Sequence, residues 1–213
     1  MYTLIDKMEE VKLFHCEGYV MEKTLLDRYN DLKALVVVRK EQFSRMTDCI
    51  ENGTSWLTSP ASTKFHLCKE GGLLEHSVNV AETMLKIKAA IAPEISDESC
   101  VIVALLHDLG KAGMPGNPQY LINEPTERQK QYGYPASAPY RFNNELTYLS
   151  VPVRSIYLAL QHISLTEEEV QAIVYHDGQY VEDNASVATH EEPLTLLLQY
   201  ADSWSGFVIE ERG

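Results

Sequence analysis

The segment Val101-Ile-Val-Ala-Leu-Leu-His-Asp-Leu-Gly-Lys111 decides the fold. Residues 101–106 are apolar on every face of a helix. Such a helix belongs in the middle of a domain, with other elements covering all its sides. Ser96 precedes it as an N-cap, and Asp97 and Glu98 place negative charge in the first turn. The helix stops at Gly110 or Gly113, so His107-Asp108 is a polar pair closing the most apolar helix of the chain.

Working outward, residues 21–51 read as one long helix, with Leu25, Leu32, Leu35, Val36, Phe43, Met46 and Ile50 near helical spacing and Gly53 closing it. Residues 1–20 fit a strand, a short helix or an arm, and 54–70 read as a loop. After Gly71-Gly72 a helix runs to about Ile91, its buried stripe marked by Leu73, Val80, Met84 and Ile87. His76 falls on that stripe. Helices resume at 152–162. Thr166 and Glu169 form a capping box for a helix to about Tyr175, which His176-Asp177-Gly178 ends. Thr189 and Glu192 predict the start of the last helix, through Leu194, Leu197, Leu198, Ala201 and Val208, with Asp202 one turn beyond Leu198. No stretch alternates convincingly as a strand. The expected fold is all-α.

The 213 residues suit one compact unit, and 45% hydrophobic content is enough for a sizeable core. Acidic residues outnumber basic ones 31 to 18, a formal net charge of -13. Such a surface repels a long phosphate backbone, so duplex DNA and long RNA are poor partners. A small phosphate ester needs only one local basic pocket. Cys16, Cys49, Cys68 and Cys100 form no C-x-x-C pair and read as free thiols, with core packing the plain role for each. There is no signal-peptide pattern and no apolar run of membrane-spanning length, so the expected location is the cytoplasm, with no membrane partner.

Positions 111–154 stand apart. They hold six of the nine prolines, five of the twelve tyrosines, and five basic residues against three acidic ones. A loop this long is functional or disordered, and its aromatic content argues against disorder. Arg128, Lys130, Arg141 and Arg154 are the pool for phosphate contacts. Tyr120, Tyr132, Tyr134 and Tyr140 suit base stacking or a lid. The plainer alternative is that the loop covers a core edge or makes an oligomer contact; self-association is left open.

Three buried stripes are thus interrupted by polar groups: His76, His107-Asp108 and Asp202. Burying a charge without a partner costs several kcal/mol, so such groups are normally paired or metal-bound. Two imidazoles and two carboxylates can satisfy each other around one divalent cation, and mixed N/O ligands suit manganese, iron, cobalt, nickel or zinc. A lone His on an apolar face is commonly a satisfied core residue, and the His-Asp dipeptide alone is weak. The order H…HD…D over three predicted helices is more specific.

Three segments, GGLLEHSVNVAETM, ALLHDLGK and LLLQYADSW, resemble the signatures of HD-domain phosphohydrolases over about residues 64–208. The resemblance implies a helical bundle with metal ligands at His76, His107, Asp108 and Asp202. It divides the chain into an arm and long helix over 1–53 and an HD domain over 54–213, the Pro/Tyr-rich loop being an insertion. The GGLLEH form is most similar to bacterial and phage members, including a 3′-to-5′ exoribonuclease group that carries an added OB-fold domain, for which this chain has no room. Some members bind two metals through extra histidines, here His162 and His176. The position where relatives show Gly-His reads Ser150-Val151-Pro152, which favours one cation per chain, magnesium included among the candidates.

The implied activity is a metal-dependent phosphohydrolase acting on a small nucleotide or deoxynucleotide through metal-activated water. Asp108 both binds metal and orients that water. Lys111 contacts phosphate, or else is a solvated residue favoured at a helix C-terminus. His176 donates a proton to the leaving oxygen, or else closes a helix. His66, before the Gly-Gly turn, joins Tyr120, Arg128, Lys130 and Arg141 as a candidate substrate contact. His162 ends a helix, His15 and His190 are surface residues, and Glu75 points away from its neighbour His76. Two other functions compete: an exonuclease on short single strands, marked by a steep salt dependence, and a non-catalytic metal-stabilised regulatory protein, marked by metal content without turnover.

Overall fold

Every residue from Cys100 to Leu106 is at most 1% exposed. These residues form most of α4 (Asp97–Leu106), and each large apolar side chain there contributes roughly 1.5–3 kcal/mol by leaving water. The computed structural model describes residues 23–210. In chain order the first elements are α1 (Leu25–Ala34), α2 (Lys40–Gly53) and α3 (Gly72–Ile91), ahead of α4. A 3-10 turn follows at Leu109–Ala112, then β1 (Tyr120–Ile122), α5 (Glu127–Gln131) and β2 (Tyr140–Phe142). The remaining helices are α6 (Val151–Ala159), α7 (Glu167–Val174) and α8 (Pro193–Trp204), with a π-helical turn at Ser205–Ile209. Helices α3, α6, α7 and α8 pack around α4. The all-α expectation holds. Among the described residues no helix is long and apolar enough to cross a membrane.

Two glycines let backbones approach around the future site. A Cβ on Gly110 would stand 2.3 Å from the Val151 carbonyl, so only glycine lets α6 press against the turn after His107-Asp108. A Cβ on Gly72 would stand 2.0 Å from the Leu67 carbonyl, which is how the 54–71 loop lies against the start of α3.

The single helix expected over 21–51 is two helices. The backbone N–H groups of Val37, Val38 and Arg39 all donate to the buried Glu98 carboxylate, at 2.8, 2.7 and 3.3 Å. Amides bound there cannot serve a continuous helix. The run Val36-Val37-Val38 weakens helix propensity at the same point. The last helix also starts later than expected: its N-cap is Glu192, while Thr189 has φ 68° and caps nothing. Val208, expected on its buried stripe, is 58% exposed in the π-helical turn. Cys49 is exposed rather than packed in the core, while Cys100 is buried. Residues 1–20, with His15 and Cys16, lie outside the described residues.

The insertion contains a short antiparallel pair, Tyr120 opposite Phe142, Leu121 opposite Arg141 and Ile122 opposite Tyr140. Three residues per strand are too few for alternation to show in the sequence. Its base is pinned by Asn143, whose Nδ2 donates to Asn117 Oδ1 and the Pro118 carbonyl, and by Arg154. Arg154 is 2% exposed and donates to Gln119 Oε1 and the Thr147 carbonyl. Its expected place in the pool of phosphate contacts is therefore corrected: these bonds commit the guanidinium to the insertion's own Gln119 side chain and Thr147 backbone.

Candidate metal centre

Four helices deliver polar groups to one point. His76 comes from the second turn of α3, His107 caps the C-terminus of α4, and Asp108 follows it. His176 lies just past α7, and Asp202 sits near the end of α8. His76 Nε2 lies 3.1 Å from Asp202 Oδ1, 3.3 Å from His107 Nε2 and 3.6 Å from Asp108 Oδ2. His107 Nε2 lies 3.5 Å from Asp108 Oδ2, and His176 Nε2 lies 3.6 Å from Asp108 Oδ1.

The far sides of the rings set their tautomers. His107 Nδ1 is 2.8 Å from the Ala104 carbonyl, and His176 Nδ1 is 2.8 Å from the Ile173 carbonyl. A carbonyl only accepts, so each Nδ1 carries a proton and each Nε2 is turned towards the cluster. His107 is held further: its carbonyl accepts from Ser155 Oγ, which itself accepts from the Gly110 N–H. This pattern of outward Nδ1–H and inward Nε2 is the one metal-ligating histidines use.

The electrostatics agree. Burial pulls the His76 pKa down, but Asp202 and Glu210 outweigh it and lift it to about 10. For His176, burial also lowers the pKa, and Asp108 lifts it to about 9. Burial raises Asp108, yet Lys111 and His107 hold it well below the carboxylate range. Asp202 is likewise lowered, by His76 against burial. In the cation-free site the charged His76 and His176, with Lys111, balance Asp108, Asp202 and Glu210, and displacing the ring protons leaves an excess of negative charge in a buried volume. A divalent cation suits that excess, and imidazole plus carboxylate is a donor set for the borderline divalent metals.

Two groups of metal-competent atoms each lie within 4.8 Å of one another, His76 with His107 and Asp202, and His107 with Asp108 and His176. A third joins His66, His76 and Glu210. A family model of the HD domain matches residues 73–203. The chain belongs to the HD-domain family. HD proteins are generally metal-dependent hydrolases, and the cluster here has the side chains to hold a metal. No curated protein and no solved structure matches the chain.

In this HD protein the remaining predicted residues fall into two sets. Lys111 and His66 join the cluster. Lys111 Nζ is 2.5 Å from Asp108 Oδ2 and only partly accessible, so it is not a solvated terminal lysine. Burial lowers its pKa and Asp108 more than restores it. The His66 ring stands 5.2 Å from the His76 ring, and its buried Nε2 has no hydrogen-bond partner. Tyr120 is half-buried, its phenol pushed up by burial and pulled back by Lys111. The outer set is Arg128, Lys130 and Arg141, all exposed on α5 and β2. Lys130 pairs with Glu127, and Arg141 donates to the Phe142 carbonyl. Glu75 pairs with Lys69.

Sequence reasoning missed Asn79 and Glu210. Glu210 accepts at 3.0 Å from His76 Nδ1 and at 3.2 Å from Asn79 Nδ2. Asn79 had a readable signal, a polar residue one turn after His76 on a buried stripe. Glu210, in the charged run Glu210-Glu211-Arg212, reads as a solvated tail.

Proposed function

We propose that this HD protein is a divalent-metal-dependent phosphohydrolase that cleaves a phosphate ester of a small nucleotide or deoxynucleotide. The observation that carries the reading is the convergence of His76, His107 and His176 through Nε2 on Asp108 and Asp202. In this proposal His76, His107, Asp108 and Asp202 hold one cation. A cation in that place supplies Lewis acidity, lowering the pKa of water and polarising a phosphoryl oxygen.

The chain's own groups do the rest. Asp108 has two carboxylate oxygens with different neighbours, Oδ2 beside Lys111 and Oδ1 towards His176. One oxygen can serve as ligand while the other orients the attacking water. Lys111 stands beside the ligand pair and offsets charge developing on the phosphoryl oxygens. His176 carries a proton near neutral pH and is placed to give it to the leaving oxygen. His66, whose Nε2 makes no hydrogen bond, and Tyr120 contact the substrate next to the cluster. The exposed Arg128, Lys130 and Arg141, against Glu124 and Glu127, leave the hairpin slightly positive on an acidic chain, which favours an anionic ligand small enough to sit there.

The test is a panel of nucleoside mono-, di-, triphosphates and cyclic nucleotides assayed with manganese, cobalt, nickel and magnesium, beside Asp108→Ala. The expected result is turnover on at least one class, strictly dependent on a cation and lost in the variant. Full activity and full metal content in Asp108→Ala would overturn the assignment.

A further inference from the structure

The buried carboxylate of Glu210 lies beyond the residues that the HD family model matches and has no part in the proposed chemistry. We propose that Glu210 is the positioning residue of the metal centre, fixing the ring of His76 so that Nε2 faces the cation. This rests on the proposed function, since it assumes that His76 is a ligand.

The first observation is where the side chain goes. Asp202 Oδ1 lies 3.1 Å from His76 Nε2, and Glu210 Oε1 lies 3.0 Å from His76 Nδ1. One imidazole is thus gripped on both nitrogens by carboxylates eight positions apart. A continued α-helix would carry position 210 about 12 Å along the axis past Asp202. The π-helical turn at Ser205–Ile209 prevents this. It closes with the Glu210 N–H donating to the Ser205 carbonyl at 2.9 Å, while buried Ser205 lies against Thr83 of α3. The widened turn folds the chain back onto α3. Such turns are rare and are frequent at functional sites.

The second observation is what the turn gives up. Phe207, Val208 and Ile209 are 65, 58 and 47% exposed, whereas the Glu210 side chain is 1% exposed. A surface segment normally does the reverse, burying its apolar residues and leaving its acid in water. Burying a carboxylate costs several kcal/mol unless partners replace its hydration. The partners here are His76 Nδ1 and Asn79 Nδ2, with His66 Nε2 further off at 3.7 Å. All of them belong to the metal centre or flank it.

The consequence is chemical. For His107 and His176 a backbone carbonyl fixes the tautomer. For His76, a ligand in mid-helix, the equivalent acceptor is Glu210. A carboxylate there keeps the proton on Nδ1, leaves the Nε2 lone pair inward, and makes the ring a stronger donor.

The experiment compares wild type, Glu210→Gln and Glu210→Ala, all stripped with a chelator and titrated calorimetrically with manganese and cobalt. Imidazole 15N–1H spectra of the same proteins loaded with zinc, a diamagnetic ion for the same donors, report the His76 tautomer. Glu210→Ala is expected to bind the cation about 10–100-fold more weakly at unchanged stoichiometry, with His76 a mixture of tautomers. Glu210→Gln still offers an oxygen to Nδ1–H, so it is expected to keep the tautomer and lose less affinity. A purely structural Glu210 would lower the melting temperature while leaving affinity and tautomer unchanged, and that result overturns the proposal. Loss of one bound cation per chain would make Glu210 a ligand and also overturn it. If wild type takes up no cation at all, the proposed function itself falls. Unchanged affinity in the variants with normal wild-type uptake sinks only this inference.

Discussion

His76 Nε2 stands 3.3 Å from His107 Nε2. Both rings commit Nδ1–H elsewhere, His76 to Glu210 and His107 to the Ala104 carbonyl. Two inward lone pairs at that distance repel unless something positive lies between them. Without a cation that role falls to a proton on His76, whose pKa stands at about 10 because Asp202 and Glu210 outweigh the cost of burial.

Cation and proton therefore compete for one place. We expect cation uptake at pH 7.5 to release at least one proton per chain, and the affinity to rise steadily from pH 6 to 9. Calorimetric titrations in buffers of different ionisation enthalpy measure both. An affinity flat across that range would show that His76 gives up no proton on binding.

The same groups set the stability of chelator-treated protein. His76 and His176 are raised from 6.5, to about 10 and about 9. Their contribution is complete below pH 6.5 and is lost as pH climbs through the folded values. Asp108 and Asp202 are lowered from 3.8, so their contribution is present above that value and lost as pH falls. We expect the melting temperature to be highest between about pH 4 and 6.5 and to decline towards pH 10. Saturating cation should flatten the alkaline decline. Thermal scans with and without chelator across pH 4–10 test this, and an alkaline decline equally steep with cation present would refute it.

What the sequence made legible follows the range of each interaction. The positions of His76, His107, Asp108 and Asp202 were readable because each breaks an apolar helical stripe, a pattern of period 3.6 written locally. The break between α1 and α2 was not, since the acceptor of its three amides, Glu98, lies some 60 positions along the chain. Thr189-x-x-Glu192 satisfies the capping pattern, yet the helix takes Glu192 as N-cap with Pro193 at its first turn. Proline at that place needs no N–H partner, and the pattern alone did not weigh it. Glu210 was hidden by the π-helical turn, which no periodicity announces.

Arg39 ties the α1–α2 break to the core. It bonds Glu98 through Nε at 2.8 Å and Glu169 through Nη1 and Nη2 at 2.6 Å. Burial raises both carboxyls, and Arg39 holds both below their ordinary values. Arg39→Ala leaves two buried acids without their cation and is expected to cost about 3 kcal/mol or more, or roughly 6–12 °C for a domain of this size. Arg39→Lys keeps the charge but loses the fork and should recover only part. Urea melts of the three proteins decide it; a loss below about 1 kcal/mol for Arg39→Ala would mean that the triad is not a net stabiliser.

Arg154 separates holding the hairpin from holding the metal. Its guanidinium is buried against Gln119 Oε1 and the Thr147 carbonyl, and burial pulls its pKa down. Arg154→Met keeps an unbranched chain in the core but removes both bonds at the base of the insertion. Each bond to a charged donor is worth on the order of 1.5–3 kcal/mol, so opening of the hairpin should rise about tenfold or more. Trypsin reads this directly, because Arg128, Lys130 and Arg141 are exposed on that hairpin. When opening is fast, cleavage there tracks the open population. Cation affinity should stay within about twofold of wild type, since no bond of Arg154 reaches the ligands. A drop in affinity matching the rise in cleavage would mean instead that the insertion supports the metal centre itself.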